Sequence, residues 1–354
     1  MLDNIGGIPG LRIERAAGLV TWQRSVPLTR PMNVVFHGHA RPFGYEYYGI
    51  HRGTEDRLTF IASESKPIRS AFIDCRADSP AWGRRAELLL SPDLHASLVI
   101  PPGVAHTFDD LENVFTLNSF RNFLPHPDDW ISGKVEWGLS EDTINLSRDV
   151  RDAELPRIEC NQLEASDFFY ELTSRNIAAQ RSDAVRQYPL TKRVVFDDNT
   201  SALLKFRKVA SPAMDVPEFS DIHGVAHAWW SRRAFVTGSD DADTGFTTFL
   251  GSGSLELIQL GQAEQTLLTA QFGSGAKLVT IFGPPQQSVL LRLCDGCNTV
   301  ELAARPSPFR ELVINPGLEC SVSTTGPVLV AVQHGDSISE FLSLPSRREV
   351  PPAV

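Results

Sequence analysis

Short β-branched or aromatic runs, each closed within a few residues by Gly, Pro, Asn, Asp or Ser, recur along the chain and leave little room for helices. Examples are Met32–Phe36, Ser70–Asp74, Ser97–Ile100, Val194–Phe196, Ser201–Phe206, Leu255–Leu260, Lys277–Phe282, Ser288–Leu293 and Pro327–Val332. Many short strands separated by turns build sandwiches or barrels. One segment reads differently. Leu163, Phe168, Phe169, Leu172 and Ile177 recur at near-helical spacing, Ser166 or Asp167 can cap them, and Pro189 lies just beyond. The pattern predicts an all-β chain with a domain over 1–158, a helical connector over 159–189 and a second β domain over 190–354.

Size and charge narrow the function. At roughly 150 residues per domain, 354 residues fit two domains. The formal net charge is −10, from 33 Lys+Arg against 43 Asp+Glu. That argues against nucleic acid as a partner, because phosphate contacts need a basic face. A local Arg cluster holding a phosphorylated ligand stays open. No apolar run reaches the roughly 18 residues of a membrane span. The first residues, MLDNIGGIPGLRIERAAG, lack the apolar core of a signal peptide. Five cysteines, an odd number in a long chain, fit reduced thiols. The expected location is cytoplasmic.

The two halves share a short repeat. Leu98-Val-Ile-Pro-Pro-Gly103 recurs as Leu312-Val-Ile-Asn-Pro-Gly317. Each ends a strand in a Pro-Gly turn, and each follows a strand carrying a cysteine, Cys75 or Cys294. Either the halves are two copies of one β-fold, or hydrophobic strands happen to end alike. If they are copies, the second has Cys320 where the first has His106.

The most specific stretch is Phe72-Ile-Asp-Cys-Arg-Ala-Asp-Ser-Pro-Ala-Trp-Gly83, followed by Leu98-Val-Ile-Pro-Pro-Gly-Val-Ala-His-Thr-Phe108. It resembles the dTDP-4-dehydrorhamnose 3,5-epimerase family of cupin jelly rolls. That family carries Asp-x-Arg…Ser-Pro-Thr-x-Gly and then Pro-x-Gly-x-Ala-His-Gly-Phe. Here Ala81 replaces the Thr and Thr107 the second Gly. Tyr48-Gly-Ile-His51 stands where the family has Arg-Gly-Leu-His. Trp137 and Leu146-Ser-Arg-Asp149 resemble its downstream ending. The resemblance covers roughly residues 30–157. It implies a cupin jelly roll in the first half and a homodimer; together with the strand pattern and the repeat, the chain reads as two cupin-like jelly rolls joined by a helix, the second degenerate.

Epimerisation of a 4-keto sugar needs a base with a pKa near neutrality to take a proton α to the carbonyl, which favours His. It also needs a carboxylate behind the imidazole, a proton donor on the opposite face, and cations for the diphosphate. The resemblance implies that His51 is the base and Asp149 its carboxylate. Arg57, Arg76 and His106 would line the substrate site with Tyr47, Tyr48 and Phe123. Arg76 can instead pair with Asp74 or Asp78. The partner would be a nucleotide-diphosphate sugar, with no cofactor and no metal. Two positions depart from the family. Tyr48 replaces an Arg, and Phe123, which has no hydroxyl, replaces the proton-donating Tyr. Tyr45, Tyr47 or Tyr48 could substitute, or this tyrosine cluster could simply be packing. Strand alternation puts Tyr45 and Tyr47 on the face of His51.

Two other functions compete. A non-catalytic sugar-nucleotide or carbohydrate-binding protein would keep the fold without the donor. A metal-dependent cupin oxygenase would gather His37, His39, His51 and His106 as ligands, although Arg52-Gly-Thr-Glu-Asp-Arg after His51 contains no second His. The remaining motifs are weak. Cys294 and Cys297 have no partner pair at zinc-ribbon spacing. His223 and His227 lack an intervening Glu. Gly251-Ser-Gly-Ser254 reads as a hairpin turn.

Overall fold

The computed structural model describes residues 4–16, 22–27, 34–39, 42–62, 66–124, 143–165, 190–195, 201–206, 218–221, 228–232, 244–248, 254–261, 267–284 and 286–335. The expected helix falls almost entirely on residues outside these. Its first residues, Leu163–Glu164, form a short strand against Phe123 and Leu124. Trp137, His223 and His227 also lie outside the described residues, and the Gly251 turn falls outside up to residue 253.

Eight strands make the first sandwich: β1 (Val34–His39), β2 (Tyr47–His51), β3 (Thr54–Ala62), β4 (Ile68–Asp74), β5 (Arg85–Leu90), β6 (Ala96–Ile100), β7 (Val104–Asp109) and β8 (Val114–Ser119). They pair antiparallel as β1 with β8, β2 with β7, β3 with β6 and β4 with β5. This nested pairing is a long hairpin wound across two facing sheets, a jelly roll. β1, β3, β6 and β8 lie in one sheet; β2, β4, β5 and β7 lie in the other.

The second half repeats the winding. Its strands are β9 (Ser254–Leu260), β10 (Thr269–Phe272), β11 (Ala276–Phe282), β12 (Val289–Cys294), β13 (Thr299–Ala304), β14 (Ser307–Ile314), β15 (Glu319–Thr324) and β16 (Val328–Gly335). β9 pairs with β16, β10 with β15, β11 with β14 and β12 with β13. Each strand of the first sandwich therefore has a counterpart eight labels later. The chain is an all-β pair of cupin-type jelly rolls, and the Leu-Val-Ile-x-Pro-Gly repeat marks one strand end, that of β6 and of β14.

Each sandwich fills its own interior. Leu58, Phe60, Phe72, Leu98, Val104 and Phe108 pack inside the first, and Val279, Leu291, Leu312, Ile314 and Val322 inside the second. A third cluster lies between them, where Ile61, Phe115 and Leu117 meet Leu255, Leu257, Phe282 and Leu329. This explains why β11 is buried at every position. Its sheet is covered on both faces, so the usual in-out alternation disappears.

Two strands cross the expected domain boundaries. Gln23–Pro27, early in the chain, pairs with β9 in the second sandwich. Thr244–Thr248, late in the chain, pairs with β1 in the first. Arg24 ties the exchange down by donating to Thr59 Oγ1 at 2.9 Å and the Leu94 carbonyl at 2.8 Å. Among the described residues no helix is long and apolar enough to cross a membrane. All five cysteines are free thiols. Asp295, between Cys294 and Cys297, accepts the backbone N–H groups of Cys297 and Asn298 in the β12–β13 turn.

Candidate functional site

Period-2 alternation sorts the side chains of the first sandwich. On β3, Asp56 is in phase with Leu58 and Phe60, which belong to the interior cluster. On β7, His106 is in phase with Val104 and Phe108, also interior. On β2, His51 is in phase with Gly49, which stands opposite His106. Three polar groups from three strands therefore point into one end of the apolar interior.

They meet closely. Asp56 Oδ2 lies 3.4 Å from His51 Nε2 and 3.4 Å from His106 Nε2. One ligand atom from each residue falls within 4.8 Å of the others, and among the described residues this is the one such cluster. The two imidazole centres are 5.5 Å apart. Asp56 is the most buried at 5% side-chain exposure, His106 shows 12%, and His51 opens outward at 24%.

The turn between His51 and Asp56 makes the meeting possible. The chain leaves one sheet at His51 and enters the other at Thr54. A Cβ on Gly53 would sit 2.4 Å from the Phe123 carbonyl oxygen and 2.5 Å from Asn161 Nδ2, so only glycine fits that crossing. The Phe123 backbone N–H also donates to the Gly53 carbonyl at 2.6 Å. Below, the Gly103 N–H donates to the His51 carbonyl at 2.7 Å. Gly103 has φ +78°, which the Pro-Gly turn requires.

Protons are assigned by the surroundings. His106 Nδ1 lies 3.2 Å from the Val104 carbonyl oxygen, so Nδ1 carries the hydrogen and Nε2 presents its lone pair. Burial keeps His106 below the ordinary histidine pKa, against the pull of the Asp56 charge. Asn118 Nδ2 donates to Asp56 Oδ1 at 2.7 Å, and Asn118 Oδ1 accepts the Arg57 N–H at 3.0 Å. That leaves Oδ2 to face both imidazoles. Tyr45 lies six residues before His51, against Phe43 and His39. Its ring meets Phe43 edge-on at 5.0 Å, and burial, with the Asp56 charge adding, pushes its phenol up to about 12.

Several expected roles change. Asp149 does not back His51. It follows the strand Thr143–Ser147, in which Thr143 stands opposite His51 and Ser147 opposite Tyr47, so Asp149 lies beyond the far end of β2. Its exposed carboxylate accepts from the Ser147 hydroxyl. The carboxylate beside His51 is Asp56. Tyr48 is buried with Ile50, Leu155 and Ile158 on the opposite face of β2. Tyr47 shares the face of His51 but is 51% exposed and four residues away, about 13 Å along a strand. Phe123 braces Gly53 through its backbone. Arg57 is out of phase with Asp56 and binds Glu55 at 2.8 Å and Glu14 at 3.1 Å. Arg76 follows its structural alternative: it grips Asp74 with two hydrogen bonds, at 2.9 and 2.6 Å, and donates to the Pro9 carbonyl. Of the expected metal ligands, His51 and His106 converge. His39 is buried and stacks on Phe43 at 4.5 Å. For His37 only the backbone register, opposite Thr116, is described.

No family model matches the chain, and no curated protein matches it. Among solved structures, oxalate decarboxylase from Bacillus subtilis aligns over 91% of this chain and 78% of its own, at 11% identity and a TM-score of 0.28. Streptomyces albus HEPD, with 2-hydroxyethylphosphonate and Fe(II) bound, aligns over 93% and 77%, at 12% identity and a TM-score of 0.27. Similarity of this size says nothing about chemistry.

Proposed function

We propose that the first sandwich is a metal-dependent cupin enzyme, with His51, Asp56 and His106 as ligands to one divalent cation. The observation that carries this reading is the contact between His106 Nε2 and Asp56 Oδ2. With Nδ1 on the Val104 carbonyl, His106 Nε2 turns its lone pair toward a carboxylate oxygen 3.4 Å away in a largely apolar interior, an arrangement that a cation between the two atoms satisfies. The spacing also suits coordination. Neighbouring donors around an ion with bonds of roughly 2.1 Å sit about 3.0–3.4 Å apart. Two imidazoles and one carboxylate, with further positions open, form the set associated with non-haem Fe(II) oxygenases.

Bound there, such an ion would supply Lewis-acid or redox chemistry to a small substrate. The residues of the chain do the rest. Asn118 holds Asp56 so that Oδ2 faces the imidazoles. The Val104 carbonyl sets the tautomer of His106. His51, the most exposed ligand, marks the open side from which substrate arrives. Phe60, Phe72 and Phe108 keep bulk water from the inner side.

A second reading uses the same atoms. His51 would be a general base steadied by Asp56, acting on a 4-keto sugar nucleotide. It is favoured by the 3.4 Å His51–Asp56 approach. It is weakened by Arg57 and Arg76, the cations meant for the diphosphate, which are both engaged with carboxylates. The test is anaerobic reconstitution with Fe(II), followed by oxygen uptake across a panel of small organic acids. The metal-free protein is assayed in parallel for solvent deuterium exchange into 4-keto sugar nucleotides. Metal-dependent turnover supports the proposal. Exchange by metal-free protein, without metal-dependent turnover, supports the base.

A further inference from the structure

Strand register places a second trio where the first sandwich has His51, Asp56 and His106. Asp56 pairs with Ile100, the isoleucine of Leu-Val-Ile-Pro-Pro-Gly. Lys277 pairs with Ile314, the isoleucine of Leu-Val-Ile-Asn-Pro-Gly. Lys277 therefore occupies the position of Asp56. His106 and Cys320 each stand three residues past the repeat's glycine. The Gly103 N–H donates to the His51 carbonyl and the Gly317 N–H to the Ser274 carbonyl, both at 2.7 Å, so Ser274 answers to His51. Even the support changes coherently. Asn118, opposite Leu58, is matched by Val332, opposite Val279. Where no carboxylate needs a donor, none is present.

The side chain of Lys277 runs into the interior and is fully buried. Its amine donates to the Gly275 carbonyl at 2.7 Å and the Leu318 carbonyl at 2.8 Å. Leu318 is the counterpart of Val104, whose carbonyl orients His106 in the first sandwich. We infer that the Lys277 amine, tied to two carbonyls, fills from the chain itself the place that a metal takes in the first sandwich, so the second sandwich binds no metal and each chain holds one ion. The inference rests on the metal proposal for the first sandwich, while the placement of Lys277 at the position of Asp56 rests on register and hydrogen bonds.

The test titrates Co(II) anaerobically into the full chain and into four variants, one of them Cys320→Ala. The first is His51→Ala/His106→Ala. The second, Ser274→His/Lys277→Asp/Cys320→His, writes the first trio into the second sandwich. The third is Lys277→Met, which keeps length but leaves two carbonyls without their donor. With one ion in wild type, the triple variant should bind one more Co(II). A folded triple variant with no gain overturns the inference. So does a wild-type ion that survives His51→Ala/His106→Ala and is lost in Cys320→Ala. If wild type binds no ion, the metal reading of the first sandwich fails, and Lys277→Met decides the role of Lys277. If the triple variant does not fold, Lys277→Met decides. Its thermal midpoint should fall by roughly 5–10 °C, since buried carbonyls lose their donor, and an unchanged or raised midpoint overturns the inference.

Discussion

Asp56 and Asn118, both buried, are joined at 2.7 Å on neighbouring strands, and the bond consumes the one carboxylate oxygen that does not face the imidazoles. Asn118 is thus a positioning residue for the metal site. Asn118→Ala should weaken divalent-metal binding by about 10–100-fold, the usual cost of losing an outer partner of a ligand. Titration calorimetry reads it. An affinity within twofold of wild type would show that Asp56 is held in place without Asn118.

Metal binding should depend on pH in a stated direction. Both ligand nitrogens must be unprotonated, so affinity falls as pH drops. Burial keeps His106 below the ordinary value of about 6.5, so His106 stays neutral to lower pH than a solvated histidine. The same shift acts on stability. The unfolded chain takes up a proton at His106 before the folded one does, so stability without metal is full above about 6.5 and declines as pH falls below it. The His106→Gln variant should show a weaker decline in that window.

Arg76→Ala should damage the fold without touching the site. Asp74 is fully buried, and its carboxylate is held by Arg76 and Ser79. Burial alone would raise its pKa, but those hydrogen bonds outweigh it and keep the group below the usual range. Removing the guanidinium leaves a buried charge short of partners, at about 3–5 kcal/mol. Chemical denaturation should show that loss, with metal affinity per folded molecule unchanged. In wild type this contribution should vanish as pH falls through the depressed pKa of Asp74.

Cutting the chain at the linear boundary should fail. A fragment of residues 1–189 loses Thr244–Thr248 from the edge of β1 and leaves Gln23–Pro27 without β9. It also exposes Ile61, Phe115 and Leu117, which the second sandwich covers. The fragment should aggregate or populate dimers by edge pairing. A monomeric fragment with cooperative unfolding would show that the exchange is dispensable.

The alternating strands and the Leu-Val-Ile-x-Pro-Gly repeat were legible because side-chain period and Pro-Gly turns are local features. The repeat does mark equivalent strand ends, and Cys320 does stand where the first copy has His106. The exchanged strands were not legible. Edge pairing is carried by backbone hydrogen bonds, and nothing in Gln23–Pro27 names its partner. Nothing local in Glu55-Asp-Arg57 marks Asp56 as a site residue. Yet its phase with Leu58 and Phe60 in Thr54–Ala62 already put it on the apolar face, and that was the available signal. Motif resemblance points to Asp149, but the register of its strand against β2 carries it away from His51.

The most direct measurement is anaerobic Fe(II) titration of wild type beside His51→Ala, Asp56→Ala and His106→Ala, with folding checked by circular dichroism. The account predicts one tightly bound ion in wild type and a loss of at least about 100-fold in affinity in each variant, because each removes a ligand rather than an outer partner. Wild type that binds no divalent ion, or three folded variants that bind it as wild type does, would contradict it.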